Sequence, residues 1–477
     1  MKPWLHFVIF SVFFCQIVLA APTAKVLKPN EDPFYVPPEG YEDAEPGTIL
    51  KSRKAPHMLR SVYLPVNVKN AWQLMVRSEG SQGNATAIVT TVIEPYNADP
   101  SKLVSYQVAE DAASANCAMS YALLFGASMD TIIAQVEMYF IQGALEQGWY
   151  VVVPDYEGPH ASFTAGRQAG HAVLDSLRAT LASTNITGVQ EDAEVVLWGY
   201  SGGSLASGWA AALQPDYAPE VGDRILGAAL GGFVTNITTT AVVTDNKLFA
   251  GLIPSAINGL MQEYPSFGNY VRTQIRPGRE AGFLKASQLC MAPSLLNYAF
   301  DSFFVGNNSY FTKGLGILSE PIVKNILDQN TLALKKGIEV PKIPLFVYHG
   351  ELDDVVPHVG AQRAFDNWCE WGIESFEFSS DILNGHITEF FLGAPAALTW
   401  ISERFAGKPT VKGCKKTERL NNLMYPGVPE SLKIFYESAY ESVLGKDVGP
   451  NVTARDLANL SKRQFTFIDS SNLKIQT

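Results

Sequence analysis

Val195-Val-Leu-Trp-Gly199-Tyr200-Ser201-Gly202-Gly203-Ser-Leu-Ala-Ser-Gly-Trp-Ala210 is the stretch that decides the fold. A short apolar, β-branched run leads into Gly-x-Ser-x-Gly, and a segment of helical period leads out of it. A serine on a sharp strand-to-helix turn is the arrangement of a nucleophile elbow. Such a turn holds the serine in a strained conformation, and the positions two before and two after must be small if strand and helix are to pack closely. Gly199 and Gly203 meet that need. The competing reading is a glycine-rich turn whose serine merely caps the next helix.

The flanking pattern supports the elbow. From about residue 60, short β-branched runs alternate with longer helical segments, which indicates an α/β fold with a mostly parallel sheet. Residues 86–93, 103–108, 150–153, 194–197 and 225–230 read as strands, and 132–147, 165–183 and 205–213 as helices. Residues 233–340 then carry apolar segments of helical period, 248–261 and 284–304 among them, with no clear strand. An α/β connection usually takes about 2–6 residues, so this length predicts an inserted helical cap. Strands resume at 344–348 and 376–379, followed by a helix over 394–405. The expected organisation is a signal peptide over 1–20, an N-terminal arm over 21–59, core over 60–232, cap over 233–340, core over 341–406, and a C-terminal extension over 407–477.

Composition narrows the function. The chain has 477 residues, 47% apolar and 17% charged, with a formal charge of −11. That excludes a disordered chain, and with no basic run to follow a phosphate backbone it argues against nucleic-acid binding. Lys2, the apolar run 5–19 and Val18-Leu19-Ala20 before Ala21 read as a cleaved signal. That run is short of the roughly 20 residues a membrane span needs, and no second one occurs, so no transmembrane anchor is expected. Beyond it, Cys117, Cys290, Cys369 and Cys414 form an even set without Cys-x-x-Cys, which suggests two disulfides with three possible pairings. Six Asn-x-Ser/Thr sequons, at Asn84, Asn185, Asn236, Asn307, Asn451 and Asn459, agree with a secreted glycoprotein.

A serine nucleophile needs a base, and the base needs an acid. In α/β-hydrolases the chain order is Ser, Asp/Glu, His. Only His349, His358 and His386 follow Ser201. Ile343-Pro-Leu-Phe-Val-Tyr348-His349-Gly-Glu-Leu-Asp353-Asp354-Val-Val-Pro357 is a strand running into an acidic loop at the sheet's C-terminal edge, where the acid belongs. His349 precedes those carboxylates and His358 shares their loop, whereas His386 follows the next strand. His386 is therefore the expected base. Asp353 or Asp354 is the acid, and spacing alone does not choose between them.

At this point the residues match a family. Gly199-Tyr200-Ser201-Gly202-Gly203, the acidic loop, Gly385-His386, and Tyr106-Gln-Val-Ala-Glu110-Asp111 with Cys117 together resemble the fungal secretory lipases, the yeast lipase A type of the α/β-hydrolase superfamily, over residues 60–410. The resemblance implies Ser201 as nucleophile, Asp353 as acid, His386 as base, and an oxyanion hole from the N–H groups of Gly202 and Asp111. Elbow geometry supplies the Gly202 donor independently, but the Asp111 donor rests on the resemblance. It also implies the pairings Cys117–Cys290 and Cys369–Cys414. Such a triad needs no metal or organic cofactor. The expected function is secreted carboxylic-ester hydrolysis on acylglycerols, at a lipid–water interface. The alternatives are deacetylation of a secondary-metabolite ester, a peptidase on the same triad, and a catalytically dead binding protein, the last opposed by the presence of all three triad residues.

Overall fold

The structure, a computed structural model, describes residues 26–62, 64–336 and 340–443. The expected signal peptide and the sequons at Asn451 and Asn459 lie outside these residues. Ten strands build one sheet: β1 (Ile49–Lys54), β4 (Asn70–Glu79), β5 (Ala85–Glu94), β6 (Asp99–Gln107), β7 (Trp149–Pro154), β8 (Glu194–Tyr200), β9 (Ile225–Gly231), β10 (Leu345–Gly350), β11 (Ser375–Asp381) and β12 (Gly413–Arg419). A short hairpin of β2 (Leu59–Ser61) and β3 (Leu64–Val66) stands apart. The spatial order is β1-β4-β5-β7-β6-β8-β9-β10-β11-β12. Strands β1, β4, β5 and β7 pair antiparallel, and from β7 through β12 every pairing is parallel.

The parallel strands are apolar on both faces because helices cover both faces. Along β8, Val195 and Leu197 enter one core layer while Val196 and Trp198 enter the other, the period-2 alternation of a pleated strand. The first layer is closed by the helices Gly166–Leu181 and Gly202–Tyr217, the second by Met138–Glu146 and Ala394–Phe405. This α/β-hydrolase architecture is the one expected from the sequence. Among the described residues no helix is long and apolar enough to cross a membrane.

Three expectations are corrected. The expected C-terminal extension is not outside the core: β12 is the last strand of the sheet, and its partner is β11. Its sequence Gly-Cys-Lys-Lys-Thr-Glu-Arg is mostly exposed, so it lacks the apolar pattern that would have flagged a strand. The expected helix over 132–147 is two helices, Ile132–Val136 and Met138–Glu146. Glu137 sits at the break, its carboxyl accepting from Tyr106 Oη at 2.7 Å and from the Ala109 N–H at 2.9 Å. Over 284–304 the main helix is Met291–Tyr298, preceded by the short turns Glu280–Leu284 and Lys285–Gln288. Beyond it the chain opens into a loop in which Asp245 accepts from the N–H groups of Phe303 and Phe304.

Between β9 and β10 the chain forms the helices Ile237–Thr244, Leu252–Glu263, Pro265–Gln274, Met291–Tyr298 and Pro321–Gln329. Cys117 and Cys290 are bonded across a sequence separation of 173 residues, tying the segment after β6 to this insertion. Cys369 and Cys414 are bonded across 45 residues, joining the helix His358–Glu370 to β12. Asn84, Asn185 and Asn307 are exposed. Asn236 is half-buried, and its Oδ1 caps a helix by accepting from the N–H groups of Thr238 and Thr239.

Candidate active site

Ser201 stands between β8 and the helix Gly202–Tyr217 with φ 51° and ψ −123°. That is left-handed backbone, costly for a non-glycine residue and found where the surroundings over-determine it. Here its N–H donates to the Gly231 carbonyl at 2.9 Å. The flanking glycines are required by contact: a Cβ at Gly199 would meet the Gly203 carbonyl oxygen at 2.3 Å, and one at Gly203 would meet the Gln107 carbonyl oxygen at 1.9 Å.

Asp353 lies in the loop after β10, and His386 opens the helix His386–Leu392 after β11. His386 Nε2 is 2.9 Å from Ser201 Oγ, and His386 Nδ1 is 2.7 Å from Asp353 Oδ2. The other Asp353 oxygen accepts from the N–H groups of Val355 at 2.9 Å and Val356 at 2.7 Å. Burial alone would raise the Asp353 carboxyl, but the His386 and His349 rings outweigh it and hold the group well below the usual carboxylate range. The Tyr200 hydroxyl donates to the His386 carbonyl at 2.7 Å and so holds that residue's backbone. Gly350 ends β10 against this loop, where a Cβ would meet the Asn384 carbonyl oxygen at 2.2 Å.

The remaining candidates separate cleanly. Asp354 is exposed, while Asp353 is buried against His386. His358 is turned elsewhere, with Nε2 2.9 Å from Ser380 Oγ. Asp111 also has a left-handed backbone, φ 47°, and its side chain lies against Gly202. Burial pushes the Asp111 carboxyl up to about 7 against the opposing pull of His386. Among the described residues the Gly202 N–H has no acceptor, whereas the Asp111 N–H is within reach of the Glu157 carboxyl.

Sequence reasoning missed a group of buried acids around this segment. Burial and the neighbouring Asp155 and Asp111 carboxylates push Glu110 well up, and burial together with Glu110 does the same to Glu157. Asp155, which accepts from the Ser120 N–H at 2.7 Å, is raised to about 7 by burial. The available signal was two acidic pairs, Glu110-Asp111 and Asp155-x-Glu157, each a few residues or fewer beyond a buried strand.

Two apolar cavities meet at Ser201 and Asp111. One of about 470 Å³ is lined by Phe163, Leu205, Ile237, Ala241, Leu252 and Val356. The other, about 570 Å³, is lined by Phe249, Met291, Leu295, Ile387 and Phe390, with His386 on its wall. Helices of the β9–β10 insertion thus roof the serine on both sides.

Residues 123–413 match the Secretory lipase family. The chain is 50% identical over 444 residues to Lipase 1 of Candida albicans, covering 93% of this chain and 95% of that one. It is 40% identical over 435 residues to Lipase A of Arthroderma benhamiae, covering 89% and 90% respectively. Candida antarctica lipase A in its closed state superimposes with a TM-score of 0.76 at 29% identity, covering 88% of this chain and 96% of that one. A rice cell wall degrading esterase, LipA from Xanthomonas oryzae, shares the fold alone, with a TM-score of 0.57 at 15% identity over 77% of this chain and all of that one. An elbow serine within hydrogen-bond reach of a buried histidine, on this fold and with these relatives, makes the protein a serine ester hydrolase, and the chain belongs to the secretory lipase family.

Proposed function

We propose that the protein is a secreted lipase that hydrolyses acylglycerols through an acyl-enzyme on Ser201, with His386 as base and Asp353 as acid. The observation that carries this reading is the unbroken relay from Ser201 Oγ through both His386 nitrogens to Asp353, at 2.9 and 2.7 Å. Ser201 Oγ attacks the ester carbonyl as its proton passes to His386 Nε2, and Asp353 stabilises the imidazolium from Nδ1. The oxyanion takes the Gly202 N–H and the Asp111 N–H. His386 then protonates the leaving alcohol, and a water activated by the same ring frees the acid from Ser201. Because His386 lines only the larger cavity, the alcohol portion belongs there and the acyl chain in the other.

Two apolar cavities favour long acyl groups over acetate, since each buried CH₂ contributes ~0.8 kcal/mol. A panel of p-nitrophenyl esters from acetyl to palmitoyl, with an emulsified triglyceride, tests the reading. The expected result is a kcat/KM that rises from acetyl to at least octanoyl, with hydrolysis of the emulsion and no turnover by Ser201→Ala. A sharp optimum at acetyl with no action on fat would favour the metabolite esterase instead.

A further inference from the structure

His349 has no part in that scheme, yet it is wholly buried and touches the triad. It is the last residue but one of β10, and its ring points toward the loop that carries Asp353. Nδ1 lies 3.0 Å from the Phe233 backbone nitrogen, a group that can only donate. Nδ1 therefore carries no proton, and Nε2 carries it. Nε2 in turn lies 2.9 Å from the Val356 carbonyl and 3.3 Å from Asp353 Oδ2, the same oxygen that receives His386 Nδ1. Asp353 thus accepts from two backbone N–H groups on one oxygen and from His386 Nδ1 on the other, and the His349 ring, its Nε2–H bonded to the Val356 carbonyl, stands 3.3 Å from that second oxygen.

We propose that His349 is a positioning residue for the triad: one nitrogen is clamped by Phe233, the second residue beyond β9 and the entry to the helical insertion, and the other braces the loop through the Val356 carbonyl while facing the carboxylate that orients His386. The inference rests on the Ser201–His386–Asp353 reading. Its physical content is twofold. The Nε2–H keeps Oδ2 from rotating away from His386, and it draws negative charge from the oxygen that stabilises the imidazolium. The other titratable groups near it are His358, whose ring lies edge-on at 5.5 Å, and Glu351, which reaches His358 through Ser380.

The test compares two amide variants on a soluble short-chain ester, with Ser201→Ala as the control. His349→Gln can carry an N–H to the Nε2 position, whereas His349→Asn keeps a group near Nδ1 and loses that donor. H349N is expected to lose about 10- to 100-fold in kcat with KM unchanged, the scale of a small misplacement in a catalytic array. Its acidic limb should move to higher pH, because a carboxylate with one donor fewer holds the His386 proton more tightly. H349Q should recover most of kcat and restore the limb. Native kcat and an unmoved limb in H349N, or equal losses in both variants with the limb unmoved, would overturn the proposal. Turnover by Ser201→Ala would instead sink the triad reading. Should H349N not fold, the wild-type protein still decides: a scalar coupling across the hydrogen bond between the Phe233 amide nitrogen and His349 Nδ1 is expected, and a protonated Nδ1 would refute the assignment.

Discussion

Gly202 and Asp111 are in contact through the one atom that glycine lacks: a Cβ at Gly202 would fall 1.8 Å from Asp111 Oδ1. Gly202 is also the first residue of a helix, where alanine is ordinarily favoured over glycine by about 0.5–1 kcal/mol. Gly202→Ala should therefore leave Tm nearly unchanged while displacing Asp111 and its backbone. We expect kcat to fall by about 10²–10³, the value of one oxyanion donor. A fully active Gly202→Ala enzyme would show that Asp111 need not stay in place.

Asp353→Asn and Asp354→Asn should separate sharply. The first puts an amide against His386 Nδ1 and favours the wrong imidazole tautomer, for a loss of about 10⁴ in kcat. The second alters an exposed side chain and should stay within about threefold, a surface change of this kind being worth under 0.5 kcal/mol. Rates measured on one soluble ester settle the assignment, and the reverse ranking would move the acid to Asp354.

Stability should fall as pH rises from 5 to 8. Burial pushes Asp111 and Asp155 up to about 7 and Glu137 up to about 8. The folded state holds these protons more tightly than the unfolded chain, whose carboxyls titrate near pH ~4. Their contribution is whole below that pH and is lost as pH climbs through about 7 to 8. Three groups act in the opposite sense: Asp353, whose share is lost only in strong acid because its carboxyl is depressed, and His171 and His358, which burial holds down to about 4 and whose smaller share is lost as pH falls below about 6.5. Calorimetry should find Tm higher at pH 5 than at pH 8, with Glu137→Gln flattening the trend. A Tm that climbed across this range would contradict the assignment.

Removing the Cys117–Cys290 bond should cost more than removing Cys369–Cys414. The closed loops differ, 173 residues against 45, and the chain-entropy account gives about 5 and about 4 kcal/mol respectively as upper values. The first bond also joins the segment after Asp111 to the helix Met291–Tyr298, so its Cys→Ser pair should weaken activity as well as Tm. Equal activity in both disulfide variants would show that this tether carries stability alone.

The sequence made the elbow legible because its demands are local: Gly199 and Gly203 are needed for contacts within one turn. His386 was singled out by chain order, which the hydrolase topology imposes, and it lies beside Ser201 and Asp353. The choice of Asp353 over Asp354 lay in burial, which neighbouring identical residues do not encode. Edge strands β1 and β12 were hidden because polar side chains suit an edge and break the apolar pattern. His349 was set aside as a base on the same order argument that found His386. Its contact with Phe233 depends on how β10 abuts the loop after β9, which no spacing reveals.

The two ends of the sheet differ in how they are closed to other chains. At β1, Lys51 reaches the Val36 carbonyl and Arg53 pairs with Asp32 at 2.7 Å, so the residues before the strand lie across its margin. At β12, Lys415 and Lys416 stand exposed on the last strand. A bare margin of unpaired N–H and C=O groups invites intermolecular strand addition, and crowded lysines oppose it. In a chain of net charge −11 these cations are placed where they hinder the growth of a fibril from the sheet's open margin.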